Sequence, residues 1–443
     1  PFVKGELCDD LTYSPLSKGA RGLFLLNSLH FSMITVMEII MDHLKKYSVR
    51  ATYCHHRASD EEIYESISKI VDPLERSLDK IKKAKKIVIK TNMAWDPNQL
   101  RYFEGRRQEH VDDSILRAVL KYLRGHTSAK IVSTDVDSHC LPELGGINYM
   151  PILNEFGVEF ISSDAPPFKI YEVPGGGLMF SRYKLSECFA DADEVVSIAK
   201  MKNHAFMGIT LCLKNLFGLP PMLPHNRPRT YYHHIIRLPY VLADLGMITQ
   251  PCLNIIDALT GQARREWGGE ARICDALVAG DHVIATDACG AWLMGHDPKS
   301  DWSALPFRRD RNSLLIAAEN GFGTVNLDEI DFQTEVNPPL AEFKPDEPDS
   351  QETVTSWRRT TCEQALFYLD HQKELMDQYA GEYIFLQDGD VVLSGMDFRN
   401  MGSRRGMTRG RPDHALWLKY VDPEDMEGEK FEVYKENLSR LQL

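Results

Sequence analysis

Several signatures of common enzyme and metal-protein classes are missing from this sequence. Its nine cysteines are scattered with no CxxC pair, so the chain has no zinc-ribbon or iron–sulfur ligand pattern. No GxGxxG after a strand, no GxxxxGKS/T, no GxSxG and no HExxH is present. Unpaired cysteines without a disulfide framework fit a reducing compartment, and we therefore expect a cytoplasmic location.

Basic charge and long apolar runs are also scarce. The formal net charge is −13, which argues against general nucleic-acid binding. The longest apolar run, residues 23–41, contains Asn27, His30 and Glu38. We interpret it as a buried or partner-facing helix that could join copies of the chain, and not as a transmembrane span.

Short β-branched stretches alternate with amphipathic ones between residues 48 and 335. Strands are predicted at 50–54, 86–90, 130–134, 157–162, 193–199, 253–256, 276–279 and 329–334. Helices are predicted at 59–83 with a break at Pro73, and at 111–123, 142–156, 206–217, 231–246, 283–293 and 312–320. This alternation predicts an α/β fold with a mostly parallel sheet and helices on both faces.

Composition divides the chain into four segments. Residues 1–47 form an N-terminal helical extension and residues 48–335 the α/β core. Residues 336–360 are rich in Pro, Glu and Asp, which is typical of a linker. Residues 361–443 are predicted to form a small α+β C-terminal appendix, with a helix at 361–379 followed by a β-hairpin.

Polar side chains stand at the carboxyl ends of four predicted strands. They are Lys90 with Asn92, Asp135 with Asp137 and His139, Lys200 with Lys202, and Asp257. Open parallel sheets bind ligands at this edge, so we expect these side chains to share one site.

The stretch from Ile198 to Gly218 carries the densest set of such residues. Lys200 and Lys202 are two apart on a strand and are expected to face the same side. On the predicted helix, Thr210 and Lys214 are four apart and share a face. Since the chain is acidic overall, this cationic cluster predicts a small anionic partner, a carboxylate or a phosphate. Solvated surface lysines beside a satisfied histidine are the alternative.

Carboxylates and histidines also allow a divalent metal site, although their spacing is not diagnostic. The candidate ligands are Asp135, Asp137, His139, His225 and Asp287. Asp287 stands inside a predicted helix, where it is expected to be exposed or paired with a site lysine. The adjacent His55 and His56 are interpreted as partly exposed residues.

Residues 49–332 resemble the domain-of-unknown-function family 362. The resemblance rests on IVIKTN (87–92), KMKNHAFMGITLCLKNLFG (200–218), NIIDA (254–258) and ALVAGDHVIATDACGAWLMGHDP (276–298). It implies functional positions at Lys90, Asn92, Lys202, His204, Thr210, Lys214, Asn215, Asp257 and Asp287. Asn203 stands where the family usually has Thr, and Ala258 stands where Gly usually follows the aspartate.

Two further resemblances concern cofactors and the C-terminal region. Many members of family 362 carry ferredoxin-like cysteine motifs, and this chain has none, so no cluster of its own is implied. The layout is more distantly similar to the lactate-racemase family, whose members bind a nickel-bearing nucleotide. Residues 379–395 resemble a small uncharacterised domain that is appended to other proteins.

The leading hypothesis is an enzyme acting on a small anionic substrate or cofactor. His204 would be the general acid/base, Asp257 would orient His204 or a lysine, and Lys202 would act with them. Lys90, Asn92, Lys200, Thr210, Lys214 and Asn215 would bind the substrate. Isomerisation, proton transfer and redox chemistry all remain open. The alternative is a non-catalytic protein that binds a metal, a cofactor or a redox partner.

Overall fold

A nine-stranded mixed sheet organises the part of the chain that the structure describes. The structure is a computed structural model, and it describes residues 45–93, 100–136, 149–221, 231–396 and 413–441. Residues 47–443 form one compact unit.

The strands and helices are numbered in chain order. The strands are β1 Tyr47–Tyr53, β2 Lys86–Thr91, β3 Tyr102–Phe103, β4 Arg106–Arg107, β5 Lys130–Asp135, β6 Glu159–Ser162, β7 Phe168–Glu172, β8 Arg182–Ser186, β9 Glu194–His204, β10 Gly208–Thr210, β11 Leu253–Ala263, β12 Glu270–Gly280, β13 Ile330–Thr334, β14 Tyr383–Gln387, β15 Asp390–Gly395 and β16 Trp417–Tyr420. The helices are α1 Asp60–Val71, α2 Glu75–Lys83, α3 Asp113–His126, α4 Met150–Glu155, α5 Cys212–Asn215, α6 Arg237–Thr249, α7 Val283–Leu293, α8 Ser313–Glu319, α9 Gln351–Asp370, α10 Gln372–Tyr379 and α11 Glu432–Arg440.

The large sheet has the strand order β13-β1-β12-β11-β9-β2-β5-β6, and β10 pairs with β9 off this path. The five strands from β11 to β6 run parallel to their neighbours. Strand β12 is antiparallel to both β11 and β1. The carboxyl ends of β2, β5, β9 and β11 therefore lie along one edge. The predicted α/β fold with a mainly parallel sheet is confirmed.

Helices cover both faces of this sheet. Along β9, Val196 and Ile198 pack with apolar residues of α1 to α4, whereas Ala199 and Met201 pack with those of α6 to α8. This division follows from the alternation of side chains along a strand. The predicted break at Pro73 is also confirmed, since α1 ends before it and α2 begins after it. The first of these helices begins with a capping box between Ser59 and Glu62.

The predicted helix over residues 206–217 is wrong. Residues 208–210 instead form β10, which folds back antiparallel on the end of β9, and α5 begins only at Cys212. Gly208 adopts φ +76°, and a Cβ added there would lie 2.7 Å from the carbonyl oxygen of Pro306. The tight turn that glycine allows here replaces the first helical turn. Thr210 and Lys214 therefore do not share a helix face.

Two other helices begin at positions that differ from the predictions. Helix α6 starts at Arg237 and not at 231. Helix α9 starts at Gln351, inside the stretch interpreted as a linker, because Ser350 caps it by accepting a hydrogen bond from the Thr353 amide. The predicted domain boundaries stay predictions.

A buried charge cluster joins the C-terminal residues to helix α6. The Arg237 Nη2 atom lies 2.8 Å from Glu429 Oε1, and Lys419 Nζ lies 2.5 Å from Glu429 Oε2. Burial raises the pKa of Glu429, but Arg237 and Lys419 outweigh it and lower the pKa to about 2. The Tyr434 hydroxyl donates a further hydrogen bond to Glu429, at 2.7 Å. The C-terminal region is thus bound to the core through charges shielded from water.

Among the residues described, none of the helices is both long and apolar enough to cross a membrane. The apolar run 23–41 lies outside the described residues, as does most of the predicted N-terminal extension. Its interpretation as a helix that joins copies of the chain stays a prediction.

Removing the charge of Glu429 should destabilise the whole unit. Glu429→Gln leaves the buried Arg237 and Lys419 without their anion, and we expect the free energy of unfolding to fall by about 3–5 kcal/mol. Urea denaturation followed by circular dichroism measures it. Glu159→Gln is the matched control, because Glu159 forms an exposed ion pair with Lys130 and should change little. Equal stability of the two variants would contradict the structural role of the cluster.

Candidate functional site

The first polar cluster lies between the ends of β2 and β5 and helix α5. Lys90 Nζ donates to Asp135 Oδ2 at 2.8 Å, to Asn215 Oδ1 at 3.0 Å and to the Thr91 carbonyl at 3.0 Å. The side chains of Lys90 and Asp135 are 1% and 0% exposed. A buried ammonium needs such a partner, so the charge of Lys90 is already balanced by Asp135.

Asn215 fastens α5 to the sheet from within this cluster. Its Nδ2 atom donates to the Lys90 carbonyl at 2.8 Å, to Ser197 Oγ at 3.1 Å and to the Ile198 carbonyl at 3.1 Å. Gly218 closes the cluster from the other side: a Cβ there would lie 2.7 Å from Asp135 Oδ1 and 2.9 Å from Lys90 Cε. The segment after β9 is thus packed directly onto the Lys90–Asp135 pair.

The second cluster lies between the ends of β9 and β11. Lys200 Nζ donates to Asp257 Oδ2 at 3.1 Å and to Thr260 Oγ1 at 3.0 Å. Asp257 also accepts the backbone N–H of Asp112 at 2.8 Å. Burial raises the pKa of the Asp257 carboxyl, and the ammonium of Lys200 partly offsets this. The sequence predicts that Asp257 orients His204 or a lysine, and in the structure it contacts Lys200.

Lys202 differs from the other two buried lysines. Its Nζ donates to the Glu109 carbonyl at 2.6 Å and lies 4.5 Å from the centre of the Trp267 ring. Within the described residues, no carboxylate oxygen lies within 4.0 Å of it, although the side chain is buried. Burial lowers the pKa of Lys202 to about 8, against the opposing influence of Glu109 and Glu266. This amine can lose its proton near neutral pH.

His204 is held in a turn by its own ring. Its Nδ1 atom accepts the backbone N–H groups of Phe206 at 2.9 Å and Met207 at 3.1 Å. Two donors at Nδ1 require a lone pair there, so in the neutral ring the proton is on Nε2. Nε2 lies 3.5 Å from Glu266 Oε1, and Glu266 Oε2 accepts the Ala205 amide at 2.9 Å. This arrangement favours His204 as a hydrogen-bond donor through Nε2.

Three other predicted binding residues leave polar or charged groups at this edge. Thr210 Oγ1 and Asn92 Oδ1 are buried and have no hydrogen-bond partner among the described residues. Lys214 is half-buried, and its ammonium lies 4.3 Å from the centre of the Phe217 ring. Buried polar atoms without partners are costly, so a ligand or water would stabilise these two oxygens.

Asp287 has a structural role that the sequence did not indicate. The sequence predicts that Asp287 is exposed or paired with a site lysine, and it is neither. Its two carboxylate oxygens accept the backbone N–H groups of Cys212 at 2.9 Å and Leu213 at 2.7 Å, at the start of α5. Burial raises the pKa of Asp287 to about 7, even though these hydrogen bonds favour the ionised form. Asp287 therefore positions the segment that carries Lys214 and Asn215.

The predicted metal site is only partly described. Asp135 is engaged with Lys90, and Asp287 with α5, so neither offers a free carboxylate. Asp137, His139 and His225 lie outside the described residues, and a metal at these positions stays a prediction. Asn203, where the sequence departs from the family pattern, donates to the Gly208 carbonyl at 3.0 Å and so supports the β9–β10 turn.

Several residues of the second cluster escaped the sequence analysis. They are Arg107, Glu109, Asp112, Glu266 and Trp267. The first three belong to a dense polar run, RQEHVDD, between β2 and α3, and the last two to a glycine-rich loop between β11 and β12. Polar density in these two loops was the available signal. Only the fold shows that they meet over Lys202.

Comparison with known proteins identifies the domain that carries both clusters. Residues 87–292 match the family model described as "Domain of unknown function (DUF362)". This stretch of the chain is similar to the DUF362 family. The DUF362 match runs from β2 into α7 and so includes Lys90, Lys200, Lys202, Asp257 and the α5 segment.

Two individual proteins resemble parts of this chain. A thylakoid-associated protein of Synechocystis sp. (strain ATCC 27184 / PCC 6803 / Kazusa) is 27% identical over 125 residues, which is 27% of this chain and 38% of that protein. The lactate racemase apoprotein from Thermoanaerobacterium thermosaccharolyticum is a solved structure with 15% identity and a TM-score of 0.31, covering 57% of this chain and 58% of that one. A TM-score this low supports no conclusion.

A methyl group at Gly218 should disturb the first cluster. Gly218→Ala places a Cβ against Asp135 and Lys90, and we expect the free energy of unfolding to fall by about 1–3 kcal/mol. Gly125→Ala is the control: it lies in α3 with nothing within 4 Å of the added Cβ, so the variant should gain up to about 1 kcal/mol from helix propensity. Urea titration of both variants tests the difference in sign.

The ammonium of Lys202 should lose its proton near pH 8. In protein labelled with ¹³C at lysine Cε, we expect one NMR signal to shift with a midpoint near pH 8, because burial disfavours the charged form. Lys202→Met should abolish that signal, while Lys169→Met, which removes a half-exposed lysine paired with Glu187, should leave it. A midpoint above pH 10 would refute the assignment.

Proposed function

We propose that this protein is a proton-transfer enzyme for a small carboxylate- or phosphate-bearing substrate, with Lys202 as its general base and acid. The observation that carries the proposal is Lys202 itself. It is a buried amine with a pKa near 8, at the carboxyl edge of a parallel sheet, without a carboxylate partner in the described part of the chain.

The pKa of Lys202 suits this role. With a pKa of about 8, roughly a tenth of Lys202 is neutral at pH 7 and can accept a proton from a carbon next to a carbonyl. The resulting ammonium is acidic enough to return a proton to the same face of that carbon. Lys90 and Lys200 are instead engaged in buried ion pairs with Asp135 and Asp257.

His204 is proposed to assist as a hydrogen-bond donor. Because its Nδ1 accepts two backbone N–H groups, protonation there would break both bonds, and a general-base role is disfavoured. Its Nε2–H would instead stabilise the negative charge that develops on a substrate oxygen. This changes the division of labour from the sequence-based hypothesis, in which His204 was the acid/base.

The anionic character of the substrate is inferred from the cationic side chains near Lys202. Arg107 is buried and forms an ion pair through Nη2 with Asp113 at 2.8 Å, whereas its Nε and Nη1 atoms have no hydrogen-bond partner among the described residues. It stands two residues before Glu109, whose carbonyl accepts the hydrogen bond from Lys202. Together with Lys214, it would supply cationic donors for a carboxylate or a phosphate. A cytoplasmic location is part of the same proposal.

Exchange with solvent deuterium tests the reaction without knowledge of the product. The protein is incubated in D₂O with a panel of 2-hydroxy acids, 2-oxo acids and sugar phosphates, and mass spectrometry detects deuterium gained at carbon. We expect exchange in at least one compound, a loss of at least a hundredfold in Lys202→Met, and wild-type exchange in Lys169→Met. Exchange that survives in Lys202→Met would overturn the role of Lys202.

A non-catalytic binding protein is the second candidate. The observation that favours it is the closure of the Lys90–Asp135 and Lys200–Asp257 pairs, which makes two lysines structural. Native mass spectrometry of freshly purified protein, compared with the denatured mass, would detect a retained metal or cofactor. A retained group together with no deuterium exchange across the panel would favour binding over catalysis.

A further inference from the structure

A second group of ligating side chains lies where the end of β1 meets β12 and the β3–β4 hairpin. His55 and His56 follow β1, Asp275 belongs to β12, and Glu104 stands in the hairpin turn. One potential ligand atom from each of His55, His56 and Asp275 lies within 4.8 Å of the other two. Among the described residues, no other group of three or more His, Cys, Asp or Glu side chains brings its potential ligand atoms this close together.

Asp275 is directed at His56 by an irregularity in the sheet. The register of β11 and β12 shifts between Ala258 and Thr260, opposite this part of β12, and Asp275 has φ +51°. A left-handed backbone is costly for a residue other than glycine, and such positions are found preferentially at functional sites. Asp275 Oδ1 accepts the His56 backbone N–H at 2.6 Å and lies 2.8 Å from the His56 Nδ1 atom.

The hydrogen bond to Asp275 fixes the tautomer of His56. Because Asp275 is an acceptor, Nδ1 carries a proton, and in the neutral ring the lone pair is on Nε2. Nε2 lies 3.9 Å from Glu104 Oε2, so two acceptors face each other. Arg57 balances the charge of Glu104 in this structure, and a metal ion in place of its guanidinium would contact Nε2 and Oε2 together.

We propose that this group binds a divalent transition-metal ion. The imidazoles of His55 and His56 and the carboxylate of Glu104 are the ligands, and Asp275 orients His56 as a carboxylate partner outside the coordination sphere. Imidazole and carboxylate donors suit Zn²⁺, Ni²⁺ or Co²⁺. His56 is buried and His55 exposed, so one ligand is held in place and the site opens to solvent.

The surrounding charges set a modest affinity. Arg57 pairs with Glu104, and its side chain is 67% exposed. Arg106 donates to the His56 carbonyl at 2.5 Å and pairs with Asp112. Arg57 offsets the charge of Glu104, so the metal must displace Arg57 from Glu104. His55 must also exchange its 3.1 Å hydrogen bond from the Arg57 amide. We therefore expect micromolar rather than nanomolar binding.

Titration of the EDTA-treated protein with Co²⁺ tests the site, through visible absorption bands and calorimetry. We expect one site, weakened at least tenfold in His56→Gln and in Glu104→Gln, and tenfold to a hundredfold in Asp275→Asn. His371→Gln, which removes an exposed histidine whose Nδ1 lies 2.9 Å from the Phe367 carbonyl, should bind like the wild type. Thermal melting of each variant checks that it is folded.

Two results would overturn the metal site. One is Co²⁺ affinity in His56→Gln and Glu104→Gln equal to that of the wild type, which would place the ion elsewhere. The other is no Co²⁺ binding together with an NMR titration in which His56 takes up a proton, which would make the group a proton-linked ion pair only. Neither result bears on Lys202, because this site shares no ligand with the proposed catalytic cluster.

Discussion

The cost of burying positive charge governs the carboxyl edge of this sheet. Three lysines on two neighbouring strands, Lys90, Lys200 and Lys202, are withdrawn from water almost completely. A buried ammonium must be neutralised by a partner or must give up its proton. Lys90 and Lys200 are neutralised by their partners, Asp135 and Asp257. Lys202 lacks such a partner among the described residues, and its pKa is lowered, so that it loses its proton more easily.

That distinction connects the fold with a function. The ion pairs of Lys90 and Lys200 fix the segments that follow β2, β5 and β11. Asn215 and Asp287 add hydrogen bonds that hold α5 against the strand ends. These buried networks are satisfied and so favour one fixed arrangement. Because the carboxyl edge of the sheet is fixed in this way, the amine of Lys202 is held at one position, which general acid–base chemistry requires. Stability and the proposed reactivity therefore depend on the same strand ends.

Sequence patterns predicted correctly those helix ends that depend only on residues nearby in the chain. Helix α7 has the predicted bounds, and the break at Pro73 is where proline demands it. The failure at 206–217 has an equally local cause, because the tight turn at Gly208 returns the chain along β9 before a helix can begin. The RQEHVDD run stands out as polar in the sequence. Its contact with Lys202 joins residues 93 positions apart in the chain, so only the fold reveals it.

The sequence by itself determined the class of fold, the resemblance of residues 87–292 to the DUF362 family and the strand ends at which charged residues collect, because periodicity and motifs are local properties. Only the tertiary structure decided which lysine has no carboxylate partner among the described residues. Lys200 and Lys202 look equivalent in sequence, two apart on the same strand. They differ because Asp257 is brought beside one of them, whereas a backbone carbonyl and an indole ring are brought beside the other. The pKa of an amine depends on such neighbours in space, and spacing along the chain does not encode them.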